Sequence, residues 1–188
     1  KMNRLFIWCW ISKDGKTKII IDHCFDVKGV GTVVLGKVER GKLKQYDNLK
    51  LVPKGGDALI KSIQMHDDNI EQAISPARVG LSIRGISPED IQRGDILCEE
   101  GSMQVKQDIT LDYSPSKYFK ETIAENQTFL VSIGLQIRAA KITSMNPMKL
   151  SLIKPVAIDT GDICVILKPE SQTIRIAVRG KIILTKLK

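Results

Sequence analysis

The chain has 188 residues, enough for one or two compact domains with a core each. Its longest apolar run, Leu5 to Ile11, is far short of the ~20 residues a membrane-spanning helix needs, and its flanks do not resemble a secretory signal, so a soluble chain is expected. The formal charge of +8, from 29 basic and 21 acidic residues, fits a phosphate-rich partner or a solvated basic surface.

In chain order, almost every segment reads as a strand. "RLFIWCWIS" is apolar on both faces, with Phe6, Trp8 and Trp10 on one and Leu5, Ile7, Cys9 and Ile11 on the other. "KDGK" supplies an Asp-Gly hairpin turn, after which "TKIIIDHCFDV" runs back. "GVGTVVLGKVERG" matches a phosphate-binding P-loop except at its last position, where Val38 replaces the hydroxyl residue that would hold magnesium. Thr32, Val33 and Val34 are β-branched and favour an extended chain, so this stretch reads as a strand entering from a Gly-X-Gly turn.

In "KLKQYDNLKLV", Leu43, Tyr46, Leu49 and Leu51 mark expected buried positions around a turn at Asp47-Asn48. "LIKSIQMH", "RVGLSIRG" and "DILCEE" follow as short strands. "SPEDIQRGD" offers a single helical turn, with Ser87 as cap and Pro88 in the first turn. The apolar pattern lapses around "CEEGSMQVKQ", and the charge balance shifts: 16 basic against 14 acidic residues lie before position 104, and 13 against 7 after it. A domain boundary is therefore placed between 1–103 and 104–188. The second half passes from "DITLDYS" through an irregular "PSKYFKETIAEN" to further short β segments, with turns at Asn146-Pro147, Asp159 to Asp162 and Pro169. Short strands punctuated in this way predict an all-β protein of closed barrels or sandwiches.

Little in the sequence carries catalysis. Cys9, Cys24, Cys98 and Cys164 stand at wide, unrelated spacings, so free thiols are expected and neither a disulfide nor a metal site. His23 and Cys24 are neighbours on a strand and point to opposite faces, which excludes a Cys–His dyad. Asp22 and His23 interrupt an apolar run, either as satisfied structural groups or as a binding pocket. His66, Asp67 and Asp68 read as a polar rim at a strand end, a solvated turn or a ligand-contacting edge.

Taken together, "IDHCFDVKGVGTVVLGKVERGKLKQYDNLKLVP" and "SIQMHDDNIEQAISPARVGLSIRGISPEDIQRGDIL" resemble the second domain of translational GTPases of the elongation factor Tu and 1A class. The Gly-X-Gly-Thr-Val strand, the Gly-Lys-Val-X-X-Gly turn, the Val-Gly-Leu strand and the Asp-Ile-X-Arg-Gly-Asp segment stand in that family's order and spacing. "DHCF" followed by "VKGVGTV" is similar in particular to selenocysteine-specific elongation factors and their archaeal elongation-factor-like relatives. "MKLSLIKPVAI" and "TIRIAVRGKII" resemble, more loosely, the third domain, and the Trp-rich stretch falls outside the pattern.

The resemblance implies two consecutive antiparallel β-barrels of translation-factor domain II and domain III type. It also implies a piece of a longer protein that is not itself an enzyme, with no cofactor of its own. GTP, magnesium and their hydrolytic chemistry are expected only in a missing nucleotide domain. The family holds the aminoacyl end of a tRNA at the second domain. Positions matching the selenocysteine-factor pocket are Asp22, His23 and Arg78, and those bordering the terminal adenosine are Gln64, Met65 and His66, with Gln64 in place of the family's Glu. Lys141, Lys149, Lys154, Arg175 and Arg179 are candidates for the tRNA backbone. Aminoacyl-tRNA and the ribosome are the implied partners of a cytoplasmic monomer. Two rival readings are a paralogue whose barrels bind a protein or ribosomal partner, and an initiation factor 2 gamma-like subunit.

Overall fold

The computed structural model describes residues 15–171 and 174–184. The expected strand "RLFIWCWIS" and the first half of the "KDGK" turn lie outside them. The first half of the chain forms β1 (Lys18–Val27), β2 (Gly31–Arg40), β3 (Lys42–Lys44), β4 (Asn48–Val52), β5 (Asp57–Met65), β6 (Asp68–Ile70), β7 (Gln72–Ile74), β8 (Ala77–Arg84) and β9 (Ile96–Cys98). The second half forms β10 (Gln104–Pro115), β11 (Thr128–Ile133), β12 (Gln136–Met145), β13 (Met148–Ile158), β14 (Ile163–Leu167) and β15 (Ile176–Ile183).

Strands β4, β9, β1, β2, β8 and β5 pair in that order, and the β4–β5 ladder closes the ring. β6 hangs on β5, and β3 and β7 make a separate ribbon. The second ring is β10-β13-β12-β11-β14-β15, closed by the β10–β15 ladder. The expectation of two antiparallel barrels is borne out. Period-two alternation builds each core: in β2, Thr32, Val34, Gly36 and Val38 point in while Leu35 and Lys37 point out. Ile19, Ile21, Leu43, Leu51, Ile60 and Leu81 are fully buried in the first barrel, and Leu111, Ile142, Met148 and Leu150 nearly so in the second. Phe119, from the irregular segment after β10, packs against the second core.

The stretch that resembled a P-loop is β2 itself, laddered to β1 on one side and β8 on the other. Its N–H groups serve those ladders and cannot curl around phosphate. Gly36 is there because β1 comes too close for a side chain: a Cβ would stand 2.7 Å from the Ile20 carbonyl oxygen.

Three local expectations are corrected. The turn between β3 and β4 falls at Gln45–Tyr46 rather than Asp47-Asn48, and Tyr46 is 71% exposed rather than buried. The cause is its backbone, since φ of +71° turns the chain at Tyr46, between the end of β3 and the start of β4. The turn Pro88–Asp90 is a 3₁₀ turn, and Ser87 before it makes no side-chain cap bond. The segment read as a lapse in pattern is partly strand, since β10 opens at Gln104.

The barrels meet through a small apolar cluster, Ile96 and Cys98 of β9 against Ala157 of β13, with Ile20, Val52 and Met103 packed around it. Three ion pairs flank it. Lys18 Nζ lies 3.0 Å from Asp162 Oδ1 and 3.1 Å from Glu39 Oε2, and Arg40 Nη1 lies 2.7 Å from Asp159 Oδ2. The Lys18 side chain is only 8% exposed. Burial pulls its pKa down, but the Asp162 and Glu39 carboxylates outweigh that and hold it above the ordinary lysine value of 10.5. Of the cysteines, Cys98 and Cys164 are buried and Cys24 half-buried, all three as free thiols, with Cys164 pushed up to about 12 by burial. Cys9 lies outside the described residues.

Gly94 closes the contact. Its φ is +92°, and a Cβ there would stand 2.6 Å from the backbone carbonyl of Leu135, on the facing barrel. Gly94→Ala should therefore destabilise the chain by about 2 kcal/mol or more in urea unfolding, from a left-handed conformation plus a backbone clash. A raised folded pKa means that the stabilisation from Lys18 is complete below pH 10.5 and is lost as pH climbs through the folded value. Alkaline unfolding should begin just above pH 10.5, and its slope should shrink in Lys18→Met.

Candidate functional site

A β-bulge in β1 builds the site. Ile21 pairs with Gly36 and His23 with Leu35, so Asp22 is an extra residue without a partner on β2. Such a bulge re-aims side chains, and here it brings two neighbours together, with His23 Nδ1 3.5 Å from Asp22 Oδ2. On its other edge, β1 follows the segment after the 3₁₀ turn: the Ile21 N–H donates to the Asp95 carbonyl and the Gly94 N–H to the Ile21 carbonyl, each at 2.9 Å. That pairing delivers Arg93 to Asp22.

The Asp22 carboxylate gathers the cations. Arg93 Nε donates to Oδ1 at 2.9 Å and Arg78 Nη2 to Oδ2 at 3.3 Å. Asp22 is 22% exposed, while the side chains of Arg78, Arg93 and His23 are 82%, 64% and 63% exposed. The guanidinium groups keep most of their donors toward solvent, so the cluster carries more positive than negative charge and can meet an anionic or polar group.

Beside it lies a cleft of about 290 Å³. Asp22, Arg78, Gln64, Met65 and His66 line it, with Leu35, Gly36 and Gly80 among the other lining residues. His66 and Asp67 occupy the two-residue turn between β5 and β6, with φ of +53° and +69° and with Met65 paired to Asp68. Two central residues at positive φ make the turn that matches the twist of a hairpin, which fixes His66 at the lip. Gln64 Nε2 donates to Asn69 Oδ1 at 3.2 Å across the same hairpin.

The structure thus brings together Asp22, His23 and Arg78, and places Gln64, Met65 and His66 within the same cleft; His23 touches Asp22 from the rim without lining it. All five basic candidates of the second barrel are exposed. They do not form one patch. Lys141 on β12 and Lys149 and Lys154 on β13 occupy adjacent strands, whereas Arg179 on β15 and Arg175 just before it lie beyond β10. Arg93 was missed as a site residue, although the Asp-Ile-X-Arg-Gly-Asp segment that carries it was singled out in the sequence. Cys24 packs against the first core and its thiol is pushed up by burial, so it supplies no nucleophile beside His23.

Residues 31–98 match the family model of elongation factor Tu domain 2. That match is confined to the first barrel, β2 to β9. The chain is homologous to the selenocysteine-specific elongation factor of Methanocaldococcus jannaschii, with 33% identity over 155 residues, 78% of this chain and 32% of that protein. An uncharacterized protein of the same archaeon is 38% identical over 172 residues, 90% of this chain and 55% of its own length. The crystal structure of translation elongation factor SelB from Methanococcus maripaludis, in its apo form, superposes with a TM-score of 0.80 at 26% identity, over 92% of this chain and 43% of that one. The chain therefore spans about half, or less, of the proteins it matches.

The stretch whose pattern approached a phosphate-binding loop, Gly31 to Val38, is a laddered strand. No helix among them is long and apolar enough to cross a membrane. Because the Asp22 partners are largely solvated, their pairing adds little to folding. Asp22→Asn should change the urea-unfolding free energy by less than about 1 kcal/mol, which makes it a clean variant for binding measurements.

Proposed function

We propose that this elongation-factor-like chain handles the aminoacyl end and acceptor arm of a tRNA, as the barrel portion of a selenocysteine-factor-like GTP-binding protein. The convergence of Asp22, Arg78 and His23 beside the Gln64–His66 cleft carries this reading. In it, the guanidinium, the imidazole and the carboxylate meet the esterified amino acid, and Gln64, Met65 and His66 border the terminal adenosine. A charged cluster at an open lip suits a small polar or anionic side chain, and the cleft beside it has room for a base. Arg93, bound to the same carboxylate, joins the set as the residue that orients Asp22.

Lys141, Lys149, Lys154, Arg175 and Arg179 meet backbone phosphates, in agreement with the basic second half of the chain. GTP, magnesium and hydrolysis belong to a nucleotide domain outside these 188 residues, and the ribosome and the cytoplasm are the setting. A second reading, in which the barrels dock on a protein, draws on the hairpin between β1 and β2, where Phe25, Val27 and Val30 are all partly exposed.

Filter binding of charged and uncharged tRNA over a salt series separates the two. Five phosphate contacts give a slope of about −4 in log K against log salt, while a protein-only surface gives a shallow one. Arg78→Ala and His23→Ala should slow neither folding nor uncharged tRNA binding, yet weaken protection of the aminoacyl ester against hydrolysis about tenfold or more. Equal protection by parent and variants would remove the pocket assignment.

A further inference from the structure

Tyr46 stands at the apex of the β3–β4 turn, and neither packing nor conformation asks for a tyrosine there. The residue is 71% exposed, and its φ of +71° lies in the left-handed region that disfavours any residue with a Cβ. The turn is nevertheless held firmly. The Tyr46 N–H donates to the Ile60 carbonyl at 2.8 Å, the Ile60 N–H to the Asp47 carbonyl at 3.0 Å, and Gln45 Nε2 to the Lys61 carbonyl at 2.7 Å. Asp47 Oδ2 accepts the Lys44 N–H at 2.7 Å. A strained, exposed aromatic on a well-anchored turn points to contact with another molecule.

The charges around it say which kind. Lys42 and Lys44 share the solvent face of β3 because Leu43 between them is buried, and Lys61 is exposed where the turn joins β5. None of the three has an ion-pair partner among the described residues. Of the nearby acids, Asp47 spends an oxygen on the turn and Glu71 enters it through its main-chain carbonyl. Tyr118, another exposed tyrosine, has Lys117 Nζ 4.8 Å from its ring centroid, whereas no cation lies over Tyr46 among the described residues. An open ring face flanked by free lysines is the arrangement on which a nucleic-acid base stacks while its phosphates are neutralised.

We propose that the β3–β4 turn is a second RNA-binding surface, which takes an unpaired base on the Tyr46 ring and the flanking phosphates on Lys42, Lys44 and Lys61. The surface stands apart from the cleft and does not depend on its reading. Gln64 is the cleft residue closest along β5, three positions or about 10 Å beyond Lys61.

The test uses the intact chain and a fluorescent single-stranded RNA of roughly 12 nucleotides, with its own duplex as competitor. The single strand should bind and the duplex compete poorly. Tyr46→Gly should weaken binding about tenfold while leaving Tm unchanged or raised, because glycine suits the backbone there; Tyr46→Phe should retain it. Changing Lys42, Lys44 and Lys61 together to Gln should reduce the salt slope by about 2. Arg78→Ala should leave oligonucleotide binding intact, and that result separates this surface from the cleft. Unaltered affinity in Tyr46→Gly, equal competition by duplex, loss of binding in Arg78→Ala, or no binding by the parent chain would each overturn the proposal.

Discussion

Two backbone hydrogen bonds between Ile21 and the Gly94–Asp95 segment hold the rest in place. On one side of them β1 bulges, so that Asp22 leaves the ladder and receives Arg93 from the same segment. On the other side, Gly94 lies against the Leu135 backbone of the second barrel, too close for any side chain. One short pairing thus sets the geometry of the charged cluster and the seating of the barrels. A ladder hydrogen bond adds little by itself, but a buried amide without its partner costs more than the bond contributes, so the pairing is not readily abandoned.

The chain uses its charges in two distinct ways. At the junction, Lys18 is nearly buried between two carboxylates, where desolvation makes a missing partner expensive and the pairing specific. At the lip, the partners of Asp22 stay in water, where ion pairs contribute little to stability and guanidinium donors remain open to a ligand. The same types of residue therefore stabilise the fold in one place and present chemistry in the other, and their solvent exposure decides which.

Homology to elongation factors covers both barrels, and it accounts for the glycine pattern of β2 and the Arg-Gly-Asp segment as structural requirements: a close strand approach at Gly36 and a close barrel approach at Gly94. It does not by itself account for Tyr46. That residue matters through its backbone conformation and its unpaired surroundings, both of which are properties of this fold.

Strand identity was legible in the sequence because side chains on a strand alternate between core and solvent, and Thr32, Val34 and Val38 or Leu49 and Leu51 record that alternation directly. Asp22, His23 and Arg78 could be picked out as candidates because polar residues within apolar runs are conspicuous and their motifs are ordered along the chain. Their convergence could not, since it requires a bulge that seats two neighbours together and a side-chain hydrogen bond across 56 positions, from β8 over β2 to β1. Tyr46 was misplaced for the same reason: an aromatic residue between Leu43 and Leu49 reads as buried, and only hydrogen bonds with the Ile60 and Lys61 backbone turn the chain there. Periodicity is local and is written in the order of residues, whereas bulges, turns and the contact of one barrel with another arise from groups distant in sequence, and the folded chain alone decides them.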